Sequence, residues 1–268
     1  SLRGRGADIR AVALEPDGLD VSGLGTLLED GLRPRLAHII PNFQNPAGYT
    51  LGREKRDGLL ELAREHDFVI FEDDPYIDIR FEGEGLPTML SQDEAGKVVY
   101  ASSFSKTVCP GIRVVYLVGP AELIATIAKR ATNTYISPNM VAQSIVHEFC
   151  LSGALDRSIE TVKQALAERV DALADSLGRH LPEARFTPPQ GGYFMWVTLP
   201  EDADVDAIFS AAQERGVAIV KGTDFLLEGG RNTLRLAYSG VTVDQIDEGV
   251  RRLAEAVHAV SGEPAPAA

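Results

Sequence analysis

Four short apolar runs punctuate the first half of the chain, at 37–41, 68–72, 98–101 and 114–118. They are rich in Val, Ile and Phe and alternate little with polar residues. Such runs suit strands of a mostly parallel sheet covered on both faces, since neither face then needs to be polar. Between the first two, residues 53–66 carry a helical pattern, giving the strand–helix–strand rhythm of an α/β layer. A different period then takes over. Leu155, Ile159, Val162, Leu166, Val170, Leu173 and Leu177 step by three or four, keeping one apolar stripe until Pro182 closes the segment. A helix of about 25 residues is roughly 37 Å long, enough to link two domains. Beyond it, 193–199, 217–220 and 233–237 read as strands and 205–215 as a helix. Met195 and Trp196, in the first of these strands, are expected to pack in a core. The last helix begins at Thr242 with Gln245 three residues on, a capping-box pattern. Its stripe is Ile246, Val250, Leu253 and Val257. The small, Pro-rich tail 261–268 is expected to fray.

This pattern predicts an α/β unit over 1–153, a linking helix over 154–181 and an α+β unit over 182–268. At 44% hydrophobic and 24% charged residues, the composition is that of a globular chain and excludes disorder. The net charge of −13 repels phosphate backbones, so no nucleic-acid partner is expected through this chain, while a local pocket for a small anion is still allowed. Cys109 and Cys150 are too far apart for a ligand spacing or a disulfide framework, and are expected to be buried or half-buried thiols in a reducing compartment. His38, His66, His147, His180 and His258 are scattered without ligand spacing, so no metal is expected. No apolar run approaches the roughly 18 residues that cross a bilayer, and no apolar stretch follows the polar first residues. A cytoplasmic location is the expectation. The first residue is Ser1 rather than Met, which suggests a fragment.

Three segments carry candidate chemistry. In Ala101-Ser-Ser-Phe-Ser-Lys106-Thr-Val-Cys-Pro-Gly-Ile-Arg113, a strand runs into hydroxyl residues, a lysine and then an arginine. Schiff-base chemistry needs a sheltered lysine amine that can be neutral. A phosphate needs hydroxyl and amide donors with a fixed cation, and arginine supplies a planar fork. Ser103, Ser105, Lys106 and Arg113 offer both from one loop. Pro41-Asn-Phe-Gln-Asn45-Pro-Ala-Gly48 is turn chemistry at a strand end. Phe71-Glu-Asp73-Asp-Pro-Tyr76 places carboxylates at the carboxyl end of another strand, where α/β sheets bind ligands.

In that order, and followed by Gly191-Gly-Tyr-Phe-Met-Trp196 and Leu234-Arg235-Leu236, these segments resemble the fold-type I, pyridoxal-phosphate (PLP)-dependent aminotransferases of class I/II. Within that family they resemble the branch of 2-aminoadipate and kynurenine aminotransferases, over essentially the whole chain. The resemblance implies a PLP-dependent transferase fold, with a mostly parallel large domain that is incomplete at its N-terminus and a C-terminal α+β small domain. It implies pyridoxal 5'-phosphate as cofactor, and transfer of an amino group between an α-amino acid and a 2-oxo acid. Lys106 resembles the lysine that carries the cofactor as a Schiff base and then moves the Cα proton. Asp73 resembles the carboxylate paired with the pyridinium nitrogen, keeping it protonated so that the ring withdraws electrons. Asn45 and Tyr76 resemble the residues that bond the ring 3-hydroxyl oxygen. Ser103 and Arg113 resemble phosphate ligands, with Ser105 a weaker third, and Arg235 resembles the arginine that grips the substrate carboxylate, with Asn45 a second substrate-binding residue. A homodimer of the full-length protein, with sites near the interface, is implied in the same way.

Two departures stand out. The family's long N-terminal region, with its phosphate loop and ring-stacking aromatic residue, finds no counterpart before Asn45, so the chain is expected to be truncated there. Val220-Lys221-Gly222 stands where relatives usually have Pro-Gly, and reads as a tolerated loop change. Two rival readings share the site. One is the aminotransferase-like effector domain of a MocR-type transcriptional regulator, although such proteins tend to have His-Gln where this chain has Asn42-Phe43-Gln44-Asn45. The other is a different fold-type I enzyme, a β-lyase or decarboxylase. Aminoadipate, aromatic and branched-chain substrates are all left open.

Overall fold

The computed structural model describes residues 3–262. The strands β1 (Leu14–Glu15) and β2 (Gly18–Leu19) pair antiparallel and lead into helix α1 (Val21–Glu29), whose first turn is capped by the Asp20 carboxylate accepting from the Gly23 amide at 2.8 Å. Then follow β3 (Leu36–Ile39), α2 (Arg53–His66), β4 (Val69–Asp73), the short α3 (Met89–Gln92), β5 (Val98–Ser103) and β6 (Val115–Val118). The sheet order is β3-β4-β5-β6, parallel through the first three strands and antiparallel at β6. One core lies between the helices and this sheet, built from Leu24, Leu28, Leu59, Ala63, Ile70 and Val98.

The expected cover on both faces is not met at the edge. Val115, Tyr116, Leu117 and Val118 of β6 are between 37% and 60% exposed. β6 pairs on one side only, with β5. An apolar run specifies a strand but not what lies over it. Helices α4 (Ala121–Tyr135) and α5 (Met140–Leu151) follow, and neither was expected. Helix α4 buries no residue, and α5 buries Ala142 and Val146 while exposing Met140, Val141, Ile145 and Leu151. Cys150 lies on α5 and is exposed, as is Cys109, so the expectation of sheltered thiols is corrected.

Helix α6 (Ala154–His180) is the expected long helix, and buries Leu166, Val170, Leu173 and Leu177. The second sheet is antiparallel, in the order β7 (Arg185–Phe186), β8 (Phe194–Thr198), β10 (Thr233–Ala237), β9 (Val220–Lys221), with α7 (Val205–Glu214) before β9. The strand expected at 217–220 starts later. Gly216 turns at positive φ and the Val217 amide bonds back to Ala212 of α7, so pairing begins only at Val220. Met195 is fully buried, and Trp196 meets Phe225 edge-on. Helix α8 (Val243–Ser261) closes the fold. Its capping box is present: Gln245 donates its amide to Thr242 Oγ1 at 3.3 Å, and Gln245 Oε1 accepts from the Thr242 amide at 3.0 Å. Of the tail expected to fray, residues 263–268 lie outside the described residues.

The second core, under α6 and α8, also takes in Phe43, Tyr76 and Ile79 from the first half of the chain. A Cβ at Gly191 would sit 2.3–2.6 Å from the Phe43 ring, so only glycine lets the ring settle there. The Arg80 guanidinium lies 4.7 Å from the centroid of the same ring. The loops after β3 and β4 are thereby locked to the C-terminal core.

Candidate active site

The carboxyl ends of β3, β4 and β5 each deliver one of the three loops. After β3, Asn45 turns its side-chain oxygen to Arg235 of β10 and accepts from its Nη1 at 2.7 Å. The Arg235 guanidinium lies 4.0 Å over Phe194 and 4.9 Å over Phe225, and its Nε is buried without a partner. A fixed, desolvated guanidinium with an unspent donor is what a carboxylate ligand requires.

After β4, Tyr76 is buried and packs edge-on against Tyr193 and Phe194, and burial pushes its phenol up to about 12. After β5, Lys106 is half-buried in a turn. Its Nζ lies 5.5 Å from the Tyr76 ring centroid and 5.0 Å from that of Tyr193, which donates its hydroxyl to the Lys106 carbonyl at 3.0 Å. Burial, with the Arg113 charge second, pushes the lysine ammonium down from its ordinary value. A sheltered amine that sheds its proton readily is ready to act as a nucleophile.

Arg113 bonds Ser105 Oγ at 3.0 Å through Nη1, and Ser103 Oγ accepts from the Ser105 amide at 3.1 Å. Two non-glycine residues at the site hold left-handed backbone, Phe43 at φ 50° and Arg113 at φ 51°. Strain of this kind persists where the surroundings fix a functional loop. The structure thus groups Asn45 with Arg235, Lys106 with Tyr76, and Ser103 and Ser105 with Arg113. Asp73 stands apart from these groups. It ends β4 and pairs with His38 of β3, Nε2 to Oδ2 at 3.1 Å.

Sequence reasoning passed over His38, Tyr193 and a buried network under the same loops. Asp74 points to the opposite face from Asp73 and accepts from Asn42 Nδ2 at 2.7 Å. Arg56 on α2 donates to Asn42 Oδ1 at 3.0 Å and to the carbonyls of Leu51, Pro87 and Pro41 at 2.8, 2.9 and 3.3 Å. Glu72 accepts from the amides of Met89 and Leu90 at 2.8 and 2.9 Å. Burial pushes the Asp74 carboxyl up to about 7. The network braces Pro41 and Asn42, the stem of the loop that carries Asn45. Its one available signal was strand parity, which sets Glu72 and Asp74 on the face away from Phe71 and Asp73.

An amine that sheds its proton readily suits an aldehyde, a hydroxyl-and-arginine cluster suits a phosphate, and an arginine with an unspent donor suits a carboxylate. The family model for aminotransferase class I and II matches residues 1–253. Aromatic-amino-acid aminotransferase 1 of Thermococcus litoralis is 34% identical over 252 residues, covering 92% of this chain and 60% of that protein. The crystal structure of LysN, an α-aminoadipate aminotransferase of Thermus thermophilus, superposes with a TM-score of 0.91 at 33% identity, covering 97% of this chain and 68% of that one. An uncharacterized HTH-type transcriptional regulator of Bacillus subtilis, YisV, is 29% identical over 93% of this chain and 51% of its own length. The chain belongs to the class I and II aminotransferases, and spans 60% of the Thermococcus relative's length.

Proposed function

We propose that the protein carrying this chain is a PLP-dependent transaminase of α-amino acids and 2-oxo acids, with Lys106 as its cofactor-binding lysine. The observation that carries this reading is the Lys106 amine itself. It is half-buried between the rings of Tyr76 and Tyr193, loses its proton more readily than a free lysine, and shares a turn with the Ser105–Arg113 pair. When bound, the cofactor supplies an electron sink for the charge left on the substrate Cα as its proton departs.

The chain's own groups do the rest. Lys106 would hold the cofactor through its amine and would carry the proton to and from the substrate Cα. Asp73 would keep the ring nitrogen protonated. Asn45 and Tyr76 would bond the 3-hydroxyl oxygen, and Ser103, Ser105 and Arg113 would hold the phosphate. Arg235, already flattened between Phe194 and Phe225, receives the substrate α-carboxylate and retains it through both half-reactions. The names of the Thermococcus and Thermus relatives favour aromatic and aminoadipate-type substrates.

The two cores support a division at α6, with a large unit over 1–153 and a small one over 182–268. The exposed apolar face of α5 supports assembly as a homodimer. Among the described residues no helix is long and apolar enough to cross a membrane, which fits cytoplasmic residence. A second reading, the effector domain of a transcriptional regulator, is favoured by the likeness to YisV and keeps the same cofactor site.

The test is trapping. The protein carrying this chain is loaded with PLP, reduced with borohydride, digested and mapped by mass spectrometry. Label is expected on Lys106 and absent from Lys106→Ala. An added amino acid is expected to convert the bound aldehyde form to the amine form. Label spread over surface lysines sinks the lysine assignment. Trapping on Lys106 with no amino acid converting the cofactor, together with specific DNA binding, establishes the regulator instead.

A further inference from the structure

We propose that His38 is the positioning residue for Asp73, holding one carboxylate oxygen from beneath so that the other meets the cofactor's ring nitrogen. The proposal rests on reading the Asp73–Lys106 site as a PLP site.

Three observations carry it. First, the imidazole Nε2 lies 3.1 Å from Asp73 Oδ2. Second, the register of β3 on β4 sets His38 beside Phe71, so His38 and Asp73 share one face and the imidazole sits two residues short of Asp73 along the strand direction. The loops bearing Asn45, Tyr76 and Lys106 leave from the opposite, carboxyl end of the strands. The imidazole therefore approaches the carboxylate from the side away from those loops. Third, the ring is held in place, tilted 41° against Phe71 at 5.6 Å between centroids.

The side chains of His38 and Asp73 are 50% and 35% exposed, so without this bond the carboxylate is free to turn toward water. A bond to Oδ2 fixes its orientation in advance and lowers the ordering cost of binding. A carboxylate oxygen held against the ring nitrogen would keep that nitrogen protonated. The neutral Nε2–H tautomer suffices, because only a donor is needed. Asp74 cannot take over this role, since it points into the buried network on the other face.

The test uses the PLP-loaded protein with a ring-¹⁵N cofactor, comparing the parent with His38→Ala and with His38→Gln, which keeps a donor near the Nε2 position. In His38→Ala the ¹⁵N signal is expected to move toward the unprotonated pyridine range, and the cofactor Kd to rise about tenfold, as for loss of one hydrogen bond to a charged group. His38→Gln is expected to restore most of both, while the unfolding midpoint of the cofactor-free protein stays put in both variants. An unmoved ¹⁵N signal in His38→Ala, or a His38→Gln that behaves like alanine, overturns the inference and leaves the cofactor site intact. A parent protein that fails to trap PLP on Lys106 overturns both.

Discussion

Asp73 and Asp74 are neighbours with the same side chain, and β4 turns them to opposite faces. On one face Asp73 is 35% exposed, paired with His38 and beside the loops that carry the candidate chemistry. On the other, Asp74 is fully buried, bonded to Asn42 and pushed up to about 7 by desolvation, with Arg56 behind Asn42. One carboxylate is kept where a ligand reaches it, and the next is spent on holding the loop stem. The difference shows how a strand separates chemistry from support. A period of two sends alternate side chains to different media, and medium, not residue type, decides what an acid does.

The largest expected effect comes from the open face. Asp73→Asn keeps the shape and removes the charge, so kcat/KM for transamination should fall about a thousandfold, the size of loss seen when one preorganised electrostatic partner is removed. Stability should change by less than about 0.5 kcal/mol, as for an exposed site. Steady-state kinetics and urea unfolding check the two halves. A stability loss rivalling the kinetic one would erase the contrast between the faces. The buried face should behave in the opposite way. Arg56 is 1% exposed and satisfies three carbonyls and Asn42. Arg56→Ala strands those acceptors and removes a cation near Asp74 and Glu72, at a cost of about 3 kcal/mol in urea unfolding. If the cost is under about 1 kcal/mol, the buried groups do not act as one brace.

Legibility in the sequence followed the same division. Helix α2 and strand β10 were found at their observed limits, because a clean period and clear stops mark them. The capping box at Thr242 was equally plain, since its partners are three residues apart. Helix α4 carries a short stripe at Leu123, Ile124 and Ile127 that was passed over, while α5 is apolar on more than one side, burying Ala142 and Val146 and exposing Met140, Val141, Ile145 and Leu151. The candidate site residues stand in motifs along the chain, most of them at or just past the end of β3, β4 or β5, with Arg235 in the middle of β10. What joins them was not visible. Asn45 meets Arg235 across 190 positions, and Arg56 reaches Asn42 across 14, contacts that only sheet order and packing create. His38 was set aside for lack of ligand spacing, since its partner lies on the neighbouring strand.

The smallest effect sharpens the comparison most. Asp74 titrates near 7 in the folded protein, against 3.8 for an ordinary aspartate, and desolvation is the main cause. A carboxyl raised in this way contributes stability that is whole below about pH 3.8 and is lost as the pH climbs through about 7. Asp74→Asn removes that loss while keeping an oxygen to accept from Asn42. The variant's stability relative to the parent should therefore rise by about 2–3 kcal/mol between pH 5 and pH 8, read from urea unfolding at a series of pH values. A flat series for Asp74→Asn would mean that Arg56, acting through Asn42, keeps Asp74 charged across the range. The two faces would then differ in the partners they offer a carboxylate and not in the charge they allow it.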